Sequence, residues 1–214
     1  SYTFIGQSQK GKDIPLLKLT KGNAQNKLRF WIQAGLHGNE PASTEGVLYL
    51  IDQLLTQPEY ADLLSTMELA IIPMANIDGY EKQDRYAHNG LDLNRDQTKF
   101  TAPESVALKE AFSTFNADVA MDFHEYRPYR RDYMQLGDWG INSPYDVMFL
   151  FSGNQNVPRD LRLYTKERFV QTAKDKMSAL GFRTHDYFSA GKYFGETQLN
   201  GGSLNSRSSA TSYA

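Results

Sequence analysis

Leu28-Arg29-Phe30-Trp31-Ile32-Gln33-Ala34-Gly35-Leu36-His37-Gly38-Asn39-Glu40-Pro41 leads from an apolar segment straight into a turn with two metal-binding side chains. Leu28 to Ala34 is mostly apolar, the composition of a strand covered on both faces. His37 and Glu40 follow within a few residues of its end. An imidazole nitrogen and a carboxylate oxygen on one short turn can hold the same ion, and both suit zinc. From Pro41 to Leu55 the apolar residues Val47, Leu48, Leu50, Ile51, Leu54 and Leu55 recur at helical spacing. The stretch therefore reads as strand, liganding turn, helix.

The same alternation continues outward. Tyr2 to Ile5 and Ile14 to Leu19 flank the turn-rich Gln9-Lys10-Gly11-Lys12 and predict an opening β-hairpin. Leu69 to Met74 and Val119 to Phe123 predict two more strands. A helix starts at Pro103 and runs on through Val106, Ala107, Phe112 and Phe115, with proline in its first turn. A long charged helix is expected from Asp160 to Leu180, with Gly181 at its C-cap. Strands alternating with helices imply an α/β layered sheet with helices on both faces. Sites in such sheets form beyond the carboxyl ends of strands. His37 and His124 each lie just past a strand candidate, so the two are expected to converge. Two histidines and a glutamate leave a fourth coordination position for water, the arrangement of a catalytic zinc.

Composition narrows the remaining classes. The chain has 214 residues, 40% of them hydrophobic and 22% charged, proportions that fit one globular domain. A formal net charge of -2 gives no global pull toward nucleic acid. No apolar run is long enough to span a bilayer. The absence of cysteine excludes disulfides and thiol catalysis but leaves the compartment open. Oligomeric state is not legible.

Further motifs complete a pattern: Asn76-Ile77-Asp78-Gly79-Tyr80, then Arg85, then Asn89-Gly90-Leu91-Asp92-Leu93-Asn94-Arg95-Asp96, then Met121-Asp122-Phe123-His124-Glu125. With these in place the chain resembles the zinc carboxypeptidases of the funnelin type (the carboxypeptidase A family, peptidase family M14). Their order is His-x-x-Glu, Asn-Pro-Asp-Gly, an Arg, Gly-x-Asp-x-Asn-Arg, then a strand-borne His. The hairpin Gly6-Gln7-Ser8-Gln9-Lys10-Gly11-Lys12 is similar to the family's opening Gly-x-Ser-x-Glu-Gly-Arg. Ile77 departs from the family's proline. The fold this implies is α/β, a mixed, mainly parallel twisted sheet with helices on both faces, forming a single catalytic domain over residues 1–214.

By the same resemblance His37, Glu40 and His124 would bind one zinc ion, and Asp92 would orient His37 through its other ring nitrogen. Arg85 would stabilise the oxyanion, while Asn94 and Arg95 would hold the terminal carboxylate of the substrate. The family's general base is a glutamate on a strand after a Gly-Gly-Ser element. Gly201-Gly202-Ser203 is present, and the glutamate is expected beyond Ala214, which makes this a chain lacking the C-terminal part of the domain. Glu125 and Glu196 are the nearest substitutes; Glu125, next to a ligand, is expected to face the other side of its strand. Neither Tyr193 nor Thr197 is securely the family's capping tyrosine position. Arg127 to Arg131 reads as a solvated loop or a mouth for acidic groups, and His88 and His185 as structural residues.

The activity expected is zinc-dependent removal of a C-terminal residue from a peptide. An N-acyl amino acid deacylase of the aspartoacylase or succinylglutamate desuccinylase type is the alternative enzyme. A non-catalytic zinc-bearing binding module is the third reading. Partners are thus a peptide or acyl-amino acid with a free carboxylate. The family habit leans toward export.

Overall fold

A computed structural model describes residues 1–23, 25–151, 157–193 and 196–201, with 191–193 and 196–201 described by their backbone alone. The central strand, β3 (Leu28–Ala34), follows β1 (Tyr2–Gln7) and β2 (Asp13–Leu19) in the chain. It pairs in parallel with β4 (Met67–Ile72) on one edge and β5 (Val119–Phe123) on the other. β4 pairs antiparallel with β2, and β2 antiparallel with β1. The sheet is therefore mixed, ordered β1-β2-β4-β3-β5, with the hairpin supplying its antiparallel side.

Why helices cover both faces follows from the two-residue period of a strand. Trp31 of β3 points with Ala70 and Ile72 of β4 into one core, where Leu108, Phe112 and Phe115 of α5 (Pro103–Phe115) meet them. Ile32 and Ala34 point with Leu69 and Ile71 into the opposite core, against Val47, Ile51 and Leu54 of α1 (Pro41–Thr56). The Trp31 indole meets the Phe112 ring edge-on at 5.4 Å and donates its N–H to Gln33 Oε1 at 3.0 Å. From Trp31 to Ala34 both faces of β3 are buried, which is why its sequence lacks clean alternation. β4 ends at Ile72, two residues before the Met74 expected, because Pro73 has no N–H to give the ladder.

Short helices link the layers: α2 (Leu63–Thr66), α3 (Ile77–Lys82) and α4 (Leu93–Asp96). The turn of the β1–β2 hairpin is tied to two of the helices by buried carboxylates. Asp78 of α3 accepts from Ser8 Oγ at 3.0 Å and from the Lys10 amide at 3.1 Å. Glu104 of α5, with no exposed surface, accepts from the Gln9 amide at 2.9 Å and Gln9 Nε2 at 3.2 Å. This explains why the Gly6 to Lys12 segment belongs with motifs far along the chain.

Asp96, 3 % exposed, accepts from the amides of Thr101 and Ala102 at 2.9 and 2.8 Å, donors that would otherwise enter α5 unpaired. Burial pushes its carboxyl pKa up, and those amide bonds outweigh burial and hold it below the ordinary value. Asp96→Ala should cost about 1–3 kcal/mol, because the buried Ala102 amide loses its acceptor. With the folded pKa depressed, this stability is present above the unfolded carboxyl pKa of about 3.9 and disappears as pH falls through the folded value. Thermal melts of both proteins should therefore differ at neutral pH and converge in acid.

The chain forms two compact units, Ser1–Glu125 and a second beginning at Tyr126. In the second, the buried Tyr133 hydroxyl donates to the Phe188 carbonyl at 2.8 Å. The Arg130 guanidinium lies over the rings of Tyr133 and Tyr187 and pairs with Asp132, so this member of the basic run is a structural residue. β6 (Val147–Phe149) pairs in parallel with β7 (Thr184–Asp186), and β8 (Phe188–Tyr193) antiparallel with β9 (Glu196–Gly201). The helix expected from Asp160 to Leu180 is α6 (Arg159–Tyr164) and α7 (Thr172–Ala179) joined by a π-helical stretch, Thr165–Gln171. It ends at Gly181, whose φ of 88° lets the Phe182 amide reach back to the Met177 carbonyl at 3.0 Å. No described helix is long and apolar enough to cross a membrane.

Candidate metal centre

The His37–Glu40 turn sits between the end of β3 and the first turn of α1. It is fixed from beneath by Gly38, where a Cβ would stand 2.0 Å from the Gly79 carbonyl carbon. His37, 3 % exposed, places Nδ1 2.8 Å from Glu40 Oε1 and Nε2 3.1 Å from Asp92 Oδ1. His124, one residue past β5, brings Nδ1 to 2.9 Å from Glu40 Oε2 and 3.2 Å from His37 Nδ1. The Glu125 amide donates to Glu40 Oε2 at 3.1 Å, and Glu125 Oε2 accepts from the Ala42 amide of α1 at 3.2 Å.

Asp92 caps α4 by accepting from the Asn94 amide at 2.9 Å. Its other oxygen accepts from Arg85 Nε at 3.2 Å and Nη2 at 3.0 Å. Arg85 Nη1 reaches Glu40 Oε1 at 3.4 Å. The amide nitrogen of Asn94 lies 3.2 Å from His124 Nε2, and Asp122 Oδ2 lies 3.1 Å from the same nitrogen.

These contacts decide what the centre can hold. Each histidine has a carboxylate beside Nε2, which would keep a proton there when Nδ1 takes an ion. The two Nδ1 atoms and the Glu40 carboxylate face one another across 2.8–3.2 Å. A cation among them would take the place of the proton by which His124 Nδ1 otherwise pairs with Glu40. His37, Glu40 and His124 are a set that could hold a metal ion, and its donor types suit zinc. Burial pushes Glu40 up, yet the bonds from His124 and His37 bring it down to about 2. Burial would lower His124, but the Asp122 and Glu40 carboxylates push it up to about 10. Asp92 is held well below the usual carboxylate range; its burial is outweighed by the His37 bond and the Arg85 charge.

Of the residues expected at a site, His37, Glu40, His124, Asp92, Arg85 and Asn94 are therefore brought together. Arg95 is not: it is exposed on α4, without a side-chain hydrogen bond or ion pair to the described residues. Asp122 was missed, although its Asp-x-His spacing on a strand could have found it. Glu125 turns toward α1 rather than toward the three donors. Glu196, Tyr193 and Thr197 are described by backbone alone, while Gly202 and Ser203 lie outside the described residues.

The mixed sheet with a His-Glu-His centre at its strand ends defines a carboxypeptidase-type hydrolase fold. The chain belongs to the zinc carboxypeptidase family (peptidase M14), whose family model matches residues 1–131. Carboxypeptidase 2 of Trichophyton equinum is 29% identical over 193 residues, covering 87% of this chain and 35% of that protein. Carboxypeptidase M of Mus musculus is 28% identical over 143 residues, 56% of this chain and 32% of that protein. Among solved structures, carboxypeptidase A from Helicoverpa armigera superposes with a TM-score of 0.66 at 21% identity, covering 87% of this chain and 52% of that one. A metallo-carboxypeptidase from Pseudomonas aeruginosa gives 0.62 at 24% identity, over 81% of this chain and 43% of that one. The chain spans only 35–37% of the length of the first curated relatives it matches.

Proposed function

We propose that this chain carries the zinc-binding part of a metallocarboxypeptidase that releases the C-terminal residue of a peptide. The observation that carries the reading is the convergence of His37 Nδ1, Glu40 and His124 Nδ1 with both Nε2 atoms held by carboxylates. His37, Glu40 and His124 would hold one zinc ion. When bound, zinc would supply a water of pKa about 7 and a Lewis acid for the scissile carbonyl.

The chain's own residues supply the rest. Asp92 would hold His37 through Nε2 and so aim its Nδ1 at the ion. Arg85 has further N–H donors beyond those bound to Asp92 and Glu40, and its side chain is 34 % exposed, so it can also stabilise an oxyanion forming beside Glu40. Asn94 and Arg95 are proposed to hold the substrate carboxylate. Asn94 Oδ1 is buried without a partner while Nδ2 faces His124 Nε2. Turning the amide over gives the Nε2 proton an acceptor and frees Nδ2 to donate to an anion. Glu125, whose carboxylate accepts from the Ala42 amide of α1, is not proposed as the general base.

The test uses zinc-loaded protein with an N-blocked peptide bearing a free C-terminus and, separately, an N-acyl amino acid. Release of the C-terminal residue, lost on chelation and restored by zinc, is the expected result. Cleavage of the acyl-amino acid alone would replace the peptidase reading by the deacylase one. Zinc uptake with neither activity would leave this chain a binding module.

A further inference from the structure

We infer that Asp122 is a positioning residue for His124, holding the ring so that Nδ1 faces the ion. The inference rests on the metal-centre reading above and extends it to a residue on the opposite side from Asp92. In a strand, residues two apart share a face. Asp122 and His124 lie two apart at the end of β5, and Asp122 Oδ2 comes within 3.1 Å of His124 Nε2.

The two histidines differ in how they are held. His37 is enclosed, 3 % exposed, and its carboxylate partner Asp92 is itself fixed by Arg85 and by the Asn94 amide. The His124 side chain is 30 % exposed and stands one residue beyond the end of its strand, with the His37 ring 4.8 Å away on one side. Something must select its tautomer and angle. Asn94 as placed offers Nε2 a donor, and turned over it would offer an uncharged acceptor that does not raise ring basicity as a carboxylate does. Asp122 offers an acceptor. Among the described residues His124 is the only side-chain partner of Asp122, so this carboxylate serves no cap, turn or other ion pair there. Aspartate is also disfavoured in strands, so its place in β5 has no explanation from the backbone.

The carboxylate thus keeps the proton on Nε2, leaves the Nδ1 lone pair for the metal and raises ring basicity. Its removal should loosen the metal without unfolding the sheet, since a side chain 35 % exposed contributes little to stability. Asp122→Ala and Asp122→Asn are compared with wild type by zinc competition against a chromophoric chelator, alongside melts of the metal-free proteins. Asp122→Ala should weaken zinc binding by about 10–100-fold with an unchanged melting temperature. Asp122→Asn, which can still accept the Nε2 proton but carries no charge, should lose less. If wild type binds one zinc and both variants bind within about twofold of it, the inference is overturned. Should Asp122→Ala fail to fold, the zinc affinity of Asp122→Asn decides alone, and a value within about twofold of wild type overturns the inference. Wild-type protein that takes up no zinc would overturn the metal centre itself, and the inference with it.

Discussion

Glu40→Gln protein is expected to fold and to lose zinc. The carboxylate is where the centre meets: both Nδ1 atoms, the Glu125 amide and Arg85 approach its two oxygens. Glutamine keeps the shape, and its NH2 can donate to one of the Nδ1 lone pairs. The same change removes the only charge among the three ligands that offsets a dication. Zinc affinity should fall by more than the roughly 10–100-fold that losing an outer hydrogen-bond partner costs. Competition against a chelator reads this directly, and unaltered affinity would show that the ion is held elsewhere. A second signature is acid stability. Glu40 sits at about 2 in the fold against an ordinary value of 4.5. In metal-free wild type its contribution is present above the unfolded pKa and is lost as pH falls toward 2. The glutamine variant should lack that part of the acid transition.

Gly38→Ala should damage fold and metal site together. The new Cβ would stand 2.0 Å from the Gly79 carbonyl carbon and 2.3 Å from both the Gly79 oxygen and the Tyr80 nitrogen. All three are backbone atoms, so no side chain can swing aside, and the two turns must separate. Gly79 cannot readily yield either, because its own far side lies against Asn76 and the Tyr86 carbonyl. The cost expected is about 3 kcal/mol or more, the upper range for overpacking. For a chain of this size that lowers the melting temperature by roughly 6–12 °C. Zinc affinity should fall as well, since His37 and Glu40 flank the displaced residue. Gly46→Ala is the matched control: it lies in α1 with open space around it and should be neutral or stabilising by about 0.5–1 kcal/mol. Equal melting temperatures for Gly38→Ala and wild type would refute the packing argument.

Much of the first unit could be read from residue pattern because its central strands β3 and β4 are apolar on both faces and its long helices on one. β3, α1, α5 and β5 start and stop close to where apolar periodicity and proline placed them. The main shortfall, the end of β4, came from weighing apolar character at Met74 above the missing N–H of Pro73. The ligand trio and Asp92 were legible through an ordered set of motifs rather than through any one spacing. What pattern could not convey was relative orientation. Asn94 and Arg95 are adjacent in sequence, yet one lies buried beside His124 and the other is exposed. Asp122 stands in the quoted Met121 to Glu125 motif, but its contact with His124 Nε2 depends on the ring angle of His124.

The distances along the chain between the ligands have a thermodynamic consequence. His37 and Glu40 are three residues apart, whereas the His124 contact to Glu40 spans 84. An unfolded chain can offer an ion the local pair alone; the third donor arrives only when β5 has docked beside β3. The hairpin turn beneath α3 closes over similar separations, 70 residues from Ser8 to Asp78 and 95 from Gln9 to Glu104. Tight binding is thus a property of the completed tertiary structure, and by mass action free zinc works as a folding ligand, drawing the equilibrium toward the native chain as its concentration rises.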